Sequence, residues 1–189
     1  NFAKYTLEEY GRQVPEITQW HQRIKETVIK TGRLVTPMGR VRECFKAASA
    51  ITNSGQLPDE ILRDLVSYIP QSTVPDLTNE CMATLYHQFP IVKWHQQGHD
   101  SFLASGPASL TQEFYEAGES ASNIHFIIGS YDCYIPGEFQ WGYLWGAMLK
   151  YIPGEDTSYE AWKVRAEKEG YFELEGKNGI KSKLISLLT

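Results

Sequence analysis

Along residues 15–31, PEITQWHQRIKETVIKT, the apolar residues Ile17, Trp20, Ile24 and Val28 recur at intervals of three, four and four. That spacing predicts a helix with one buried face. Pro15 suits its first position and Gly32 its end. RLVTPMGRVREC, residues 33–44, reads as a short extended pair around Pro37 and Gly39, and residues 47–57 read as a loop with TNSGQ as its turn chemistry. In LPDEILRDLVSYIPQST, residues 57–73, the positions Ile61, Leu62, Leu65 and Val66 form one apolar face of a helix that Pro70 is expected to end or kink near Ile69. A second helix is then expected over 73–87, with Val74, Leu77, Cys81 and Leu85 on one side. Ile91-Val92 and Phe102-Leu103 read as two short strands of a tight antiparallel hairpin, with Gln96, Gln97, Gly98, His99 and Asp100 between them. A helix over 107–121, a long strand over 123–135 and a polar surface helix over 158–170 follow; the last 20 residues carry no clear pattern. The fold class this predicts is α+β, with helices packed on one face of a small antiparallel sheet.

The chain's 189 residues suffice for one domain with a real core, and 42% hydrophobic with 22% charged is a soluble globular profile. The net charge of −5 excludes a polyanion binder by bulk composition. The charge is uneven, however. Residues 1–50 hold nine Lys and Arg against five Asp and Glu, whereas residues 51–189 hold nine against eighteen. A local basic face is compatible with that division. Cys44, Cys81 and Cys133 stand far apart, which points to a reducing compartment without a disulfide frame or zinc site. No apolar run approaches the ~18 residues of a membrane span, and no signal-peptide pattern stands at the start. The chain opens on Asn1 rather than Met, as expected of a piece of a longer protein. Residues 126–151 are rich in aromatics, and exposure of Trp141, Tyr143 and Trp145 would mark an interface.

Three groups of residues bear on chemistry. Asp100 at a strand turn is readable as a turn former, because Asp bonds its own backbone well. It is also readable as a metal ligand, since Mg²⁺ takes hard oxygen donors and often only one or two carboxylates. Arg63, Ser67 and Gln71 follow one another at helical spacing opposite the apolar face. That stripe is either a solvated surface or a hydrogen-bonding rail suited to phosphate, sugar and groove edges. Arg40, Arg42 and Lys46 follow Gly39 and form either a basic surface loop or a contact to a nucleic-acid backbone.

In their order these segments resemble the C-terminal part of a family-A DNA polymerase, the class of bacterial DNA polymerase I and many phage replicases. TGRLVTPMGRVRE resembles the family's GYVxTxxGRRR segment. ILRDLVSYIPQSTVPD resembles its RxxxNxxxQGTxAD helix, and WHQQGHDSFLA its palm hairpin xxQVHDExxx, known as motif C. Upstream, EYGRQVPEITQWHQRI fits the YFxxYPxVxxY helix; downstream, NIHFIIGSYDCYIPGEFQWGYLWG is a looser match to the closing strand. The resemblance spans roughly residues 5–146, so residues 1–152 read as the C-terminal palm region and 153–189 as an extension of unassigned role.

The resemblance implies that Asp100 binds the catalytic metals, with His99 beside it and Gln97 two positions earlier. It implies that Arg63 and Gln71, with Ser67 in the place of the usual Asn, touch primer and template. Arg40 and Arg42 match part of an arginine cluster on the DNA backbone, and Asp76 matches an acidic residue of structural role. Ser72, Pro75 and the position of Pro70 depart from the pattern. Ser101 stands where DNA polymerases mostly carry Glu, and His-Asp-Ser is the form of single-subunit, phage-type RNA polymerases.

The implied reaction is nucleotidyl transfer with two Mg²⁺ ions. The second carboxylate belongs to a DYSQxE strand upstream, and neither it nor the fingers helix RxxxKxxxFxxYG occurs in this sequence. The partners expected are therefore primer–template DNA, dNTPs and the upstream half of the polymerase, in a bacterial or phage-infected cytoplasm and not at a membrane. The alternatives are a non-catalytic DNA-binding module derived from a polymerase, a relative of phage-type RNA polymerases, and an α+β domain whose His-Asp tip is a structural turn.

Overall fold

The computed structural model describes residues 12–54 and 57–171. The class is α+β: five helices and eight short strands, all of the strands paired antiparallel, among the described residues. The chain divides into two compact units. One holds the described residues up to Leu77 together with Phe126–Cys133; the other holds Thr78–His125 and the described residues from Tyr134 on.

In the first unit, α1 runs over Pro15–Thr31 and ends on Gly32, whose amide bonds back to the Val28 carbonyl. Its buried residues are Ile24 and Val28, two of the four positions in the apolar periodicity. β1 (Arg33–Val35) and β2 (Val41–Glu43) then pair with Leu34 opposite Arg42. A core of Ile24, Val28, Leu34, Cys44, Ala47 and Leu65 joins these elements to the start of α3. Where a loop was expected over 47–57, α2 spans Phe45–Ser54. Its sequence, FKAASAITNS, is rich in alanine, the best helix former, and Ala47 is buried in the core.

α3 is a single helix of 30 residues, Asp59–Gln88, with both Pro70 and Pro75 inside it. The expected division near Ile69 does not occur. Each proline removes an amide and costs roughly 3 kcal/mol in a helix interior. Against that cost, Leu65, Thr73, Leu77, Cys81 and Leu85 form a buried stripe that spans both prolines. The Thr73 hydroxyl also donates to the Ile69 carbonyl at 2.7 Å, in the same turn as Pro70. The long strand expected over 123–135 is instead a hairpin of β5 (Phe126–Ile128) and β6 (Tyr131–Cys133). Gly129 turns it with φ +65°, a conformation that glycine alone adopts without strain.

The second unit contains β3 (Lys93–Gln97) and β4 (Phe102–Ser105), paired antiparallel. A short 3-10 turn leads into α4, Thr111–Ser122. Trp94, Phe102 and Ala104 of the hairpin pack with Cys81, Leu85 and Phe89 and with Phe114, Ala117 and Ala121 of α4. Helices therefore do cover one face of this hairpin, as expected. The strands, though, form four separate two-stranded hairpins rather than one sheet. A second core gathers Trp141 and Leu149, from β7 (Gln140–Trp141) and β8 (Leu149–Lys150), with Tyr151 and with Trp162 and Ala166 of α5 (Tyr159–Lys168). The helix expected to be a polar surface element thus carries a buried stripe, and Trp162 is only 1% exposed. The closing residues 172–189 lie outside the described residues.

Candidate functional site

The expected site residues fall in the two units, and each group has its own geometry. In the second unit, β3 and β4 pair Trp94 with Ala104, Gln96 with Leu103 and Gln97 with Phe102. The register shifts between Trp94 and Gln96, so His95 is an extra residue in the strand. Without that bulge, strand alternation would place Gln97 on the face opposite Trp94. With it, Gln97 lies on the packed face, and its side-chain amide donates to Asn79 of α3 at 2.8 Å. The extra residue, His95, meets the Ser105 hydroxyl at 2.7 Å.

The hairpin closes over Gly98, His99, Asp100 and Ser101, with the Gly98 amide donating to the Ser101 carbonyl at 2.6 Å. His99 and Asp100 are exposed at this tip. Among the described residues none makes a hydrogen bond or ion pair with the Asp100 side chain. An exposed carboxylate on a turn fixed by two strands is a hard-oxygen donor able to take a divalent cation. Among the described residues no three His, Cys, Asp or Glu side chains gather into a metal cluster, so Asp100 supplies one such donor and not a full set. The donor chemistry fits one half of a two-carboxylate site.

In the first unit, Arg63, Ser67 and Gln71 lie on α3 at intervals of four and form one line along it. Arg63 and Gln71 are exposed and Ser67 is half-buried. The Arg63 Nε lies 3.5 Å from the Asp59 carbonyl, and the Ser67 hydroxyl donates to the Asp64 carbonyl at 3.1 Å.

Arg40, just before β2, and Arg42, within it, both reach α3. Arg40 Nε donates to both carboxylate oxygens of Asp76 at 3.0 Å, and its Nη2 adds a further short contact to the same group. The hydrogen bonds and charge of Asp76 push the Arg40 guanidinium further above its already high value, so it is always cationic. Arg42 Nη2 donates to Asp64 at 2.6 Å, and its guanidinium carbon lies 4.8 Å from the centre of the Tyr68 ring. Sequence reasoning found Asp76 as a structural residue but missed Asp64 and Tyr68. Their place at i and i+4, with Asp76 two further turns on, was the available clue.

Cys44 and Cys81 are buried and add no nucleophile. Burial pushes the thiols of both Cys44 and Cys81 up from their ordinary value, which holds them protonated and inert at neutral pH. Of the aromatic block, Trp141 is buried, whereas Tyr143 and Trp145 are exposed, Trp145 by 67%. No helix among the described residues is long and apolar enough to cross a membrane. No family model matches this chain, and neither does any curated protein or solved structure.

Proposed function

We propose that this chain is the C-terminal palm region of a family-A, template-directed DNA polymerase that works in the cytoplasm. The observation that carries the reading is the Asp100 carboxylate, exposed on a two-strand tip and engaged by no described side chain. A carboxylate that only shaped the turn would be spent on neighbouring amides. The order of the sequence segments supports the same reading, as does the unbroken line of Arg63, Ser67 and Gln71 on α3.

On this reading Asp100 holds Mg²⁺ together with a second carboxylate from the upstream half of the polymerase. Bound there, Mg²⁺ supplies the Lewis acidity that lowers the pKa of a primer 3′-hydroxyl and offsets charge on the leaving pyrophosphate. His99 flanks the carboxylate at the tip. Gln97, oriented by Asn79, presents a side-chain amide to the DNA, while Arg63, Ser67 and Gln71 bond to primer and template edges. Ser101 beside Asp100 keeps the phage-type RNA polymerase relatives as the second reading, which the choice of nucleotide decides.

The test is primer extension with Mg²⁺, using this chain mixed with the upstream polypeptide and supplied with dNTPs or NTPs. Asp100→Asn is expected to lower synthesis by about a thousandfold or more, the loss of several kcal/mol of charge stabilisation. Synthesis that survives the substitution would sink the proposal. Salt-sensitive DNA binding without any synthesis would leave the DNA-binding module in its place.

A further inference from the structure

Pro70 and Pro75 remove two amides from α3, and with them the bonds that the carbonyls of Val66 and Gln71 would accept. The line of side chains on this helix crosses that weak stretch. Arg63 and Ser67 precede Pro70, and Gln71 follows it. Two of the three arginines of the β1–β2 hairpin, Arg40 and Arg42, reach α3 on opposite sides of Pro70. Arg42 holds Asp64 and Tyr68 before it, and Arg40 holds Asp76 after both prolines. The two aspartates are twelve residues apart, roughly 18 Å of helix.

The anchor points are themselves fixed. Leu34 and Thr36 of the hairpin are buried. The Arg40 amide donates to the Thr36 hydroxyl at 3.1 Å, and the Thr36 amide donates to the Arg40 carbonyl at 2.9 Å. A guanidinium that meets both oxygens of a carboxylate fixes orientation as well as distance. An ion pair on one side of Pro70 would tether the hairpin and nothing more. Pairs on both sides, from one hairpin, restrain the angle between the two halves of the helix.

We propose that Arg40 and Arg42 form a splint, with Asp64, Tyr68 and Asp76 as its helix side, that keeps α3 continuous through Pro70 and Pro75. They are positioning residues, and what they position is Gln71 relative to Arg63 and Ser67. The splint stands on geometry alone; its consequence for nucleic-acid binding rests on the polymerase reading. That consequence reverses the expectation for these arginines. They act on DNA through the helix, not through the phosphates.

Asp76→Asn decides between the two roles, because it breaks the splint and frees Arg40. The full chain and its Asp76→Asn, Arg40→Ala and Arg40→Asp/Asp76→Arg variants are compared by backbone hydrogen exchange and by binding to primer–template DNA over a range of salt. In both single variants, exchange between residues 71 and 76 is expected to rise about tenfold, and the charge-swapped pair to restore part of the protection. DNA affinity is expected to fall in both, with the salt slope unchanged. A direct phosphate contact would instead lower that slope by about 1 in Arg40→Ala and leave Asp76→Asn binding as well or better; that pattern overturns the proposal. Unchanged exchange in both single variants overturns it too. Faster exchange with unchanged affinity keeps the splint and removes the polymerase reading's role for this helix.

Discussion

Two hairpins of this chain carry charged residues that the sequence points to as nucleic-acid or metal contacts, and the structure treats them in opposite ways. On β1–β2, Arg40 and Arg42 are engaged by carboxylates of α3. On β3–β4, the only acidic residue, Asp100, is left at the tip without a described partner. The first hairpin is fastened along its length by charge, the second at its base by the apolar contacts of Trp94, Phe102 and Ala104. Residue type alone made all three charges ligand contacts. Position separates them, because a charge that faces a packed neighbour is used in holding the fold, and one at a turn beyond the packing is not.

The largest effect that tests this contrast lies beneath the first hairpin. Leu34 is 3% exposed, in a core with Ile24 and Val28. Leu34→Ala is expected to lower stability by about 3 kcal/mol, the usual cost of a cavity at a well-packed site. Trp94 of the second hairpin differs, since its indole Nε1 is buried with no hydrogen-bond partner among the described residues. Trp94→Phe removes that unpaired donor along with ring volume, so it is expected to cost less than Leu34→Ala in the same urea titration. An equal or larger cost would show that ring volume, not the orphaned donor, dominates at the base of β3–β4.

Arg42→Ala comes next. The Arg42 side chain is 30% exposed and Asp64 is 58% exposed, so solvent screens the pair. The substitution also removes the guanidinium from the face of the Tyr68 ring. With the ion pair discounted for screening, the two effects together are expected to cost about 1 kcal/mol. Arg42→Lys keeps the charge but loses the planar fork and its stacking, and is expected to recover only part of that stability. Full recovery would mean that charge alone, without the fork, holds β1–β2 to the helix.

The sequence made most of this arrangement legible, and its failures share a cause. The 3.6-residue period of Ile17, Trp20, Ile24 and Val28 was enough to place α1, because burial and local propensity agree there. The turn residues placed β1–β2 and the existence of the second hairpin, but not its first strand. That strand was expected at Ile91-Val92 and instead runs over Lys93–Gln97, so that Gln96 and Gln97 belong to the strand and not to the turn. Pro70 misled, because a local penalty was set against a buried stripe and two ion pairs that no local window contains. Residues 45–54 misled because their turn chemistry lies only at the end, after a helix-forming alanine stretch. In 123–135 the apolar residues on both sides of Gly129 masked its turn. As for the candidate site, Asp100 and its hairpin were legible as a turn between strands. The bulge at His95, which decides the face of Gln97, was not, because a register shift leaves no periodic trace in so short a strand.

The smallest expected effect is the most telling for the second hairpin. Asp100 is exposed, and no described side chain pairs with it. The turn is closed instead by the Gly98 amide on the Ser101 carbonyl. Asp100→Asn keeps the size and the turn propensity of the side chain and removes only its charge. It is therefore expected to leave stability within about 0.5 kcal/mol of the starting protein, as measured by urea unfolding at neutral pH alongside Arg42→Ala. A loss as large as that of Arg42→Ala would give the charge of this carboxylate a structural duty instead. Stability unchanged while synthesis disappears separates the two hairpins in the way their contacts do: the first spends its charges on the fold, and the second holds one in reserve for a ligand.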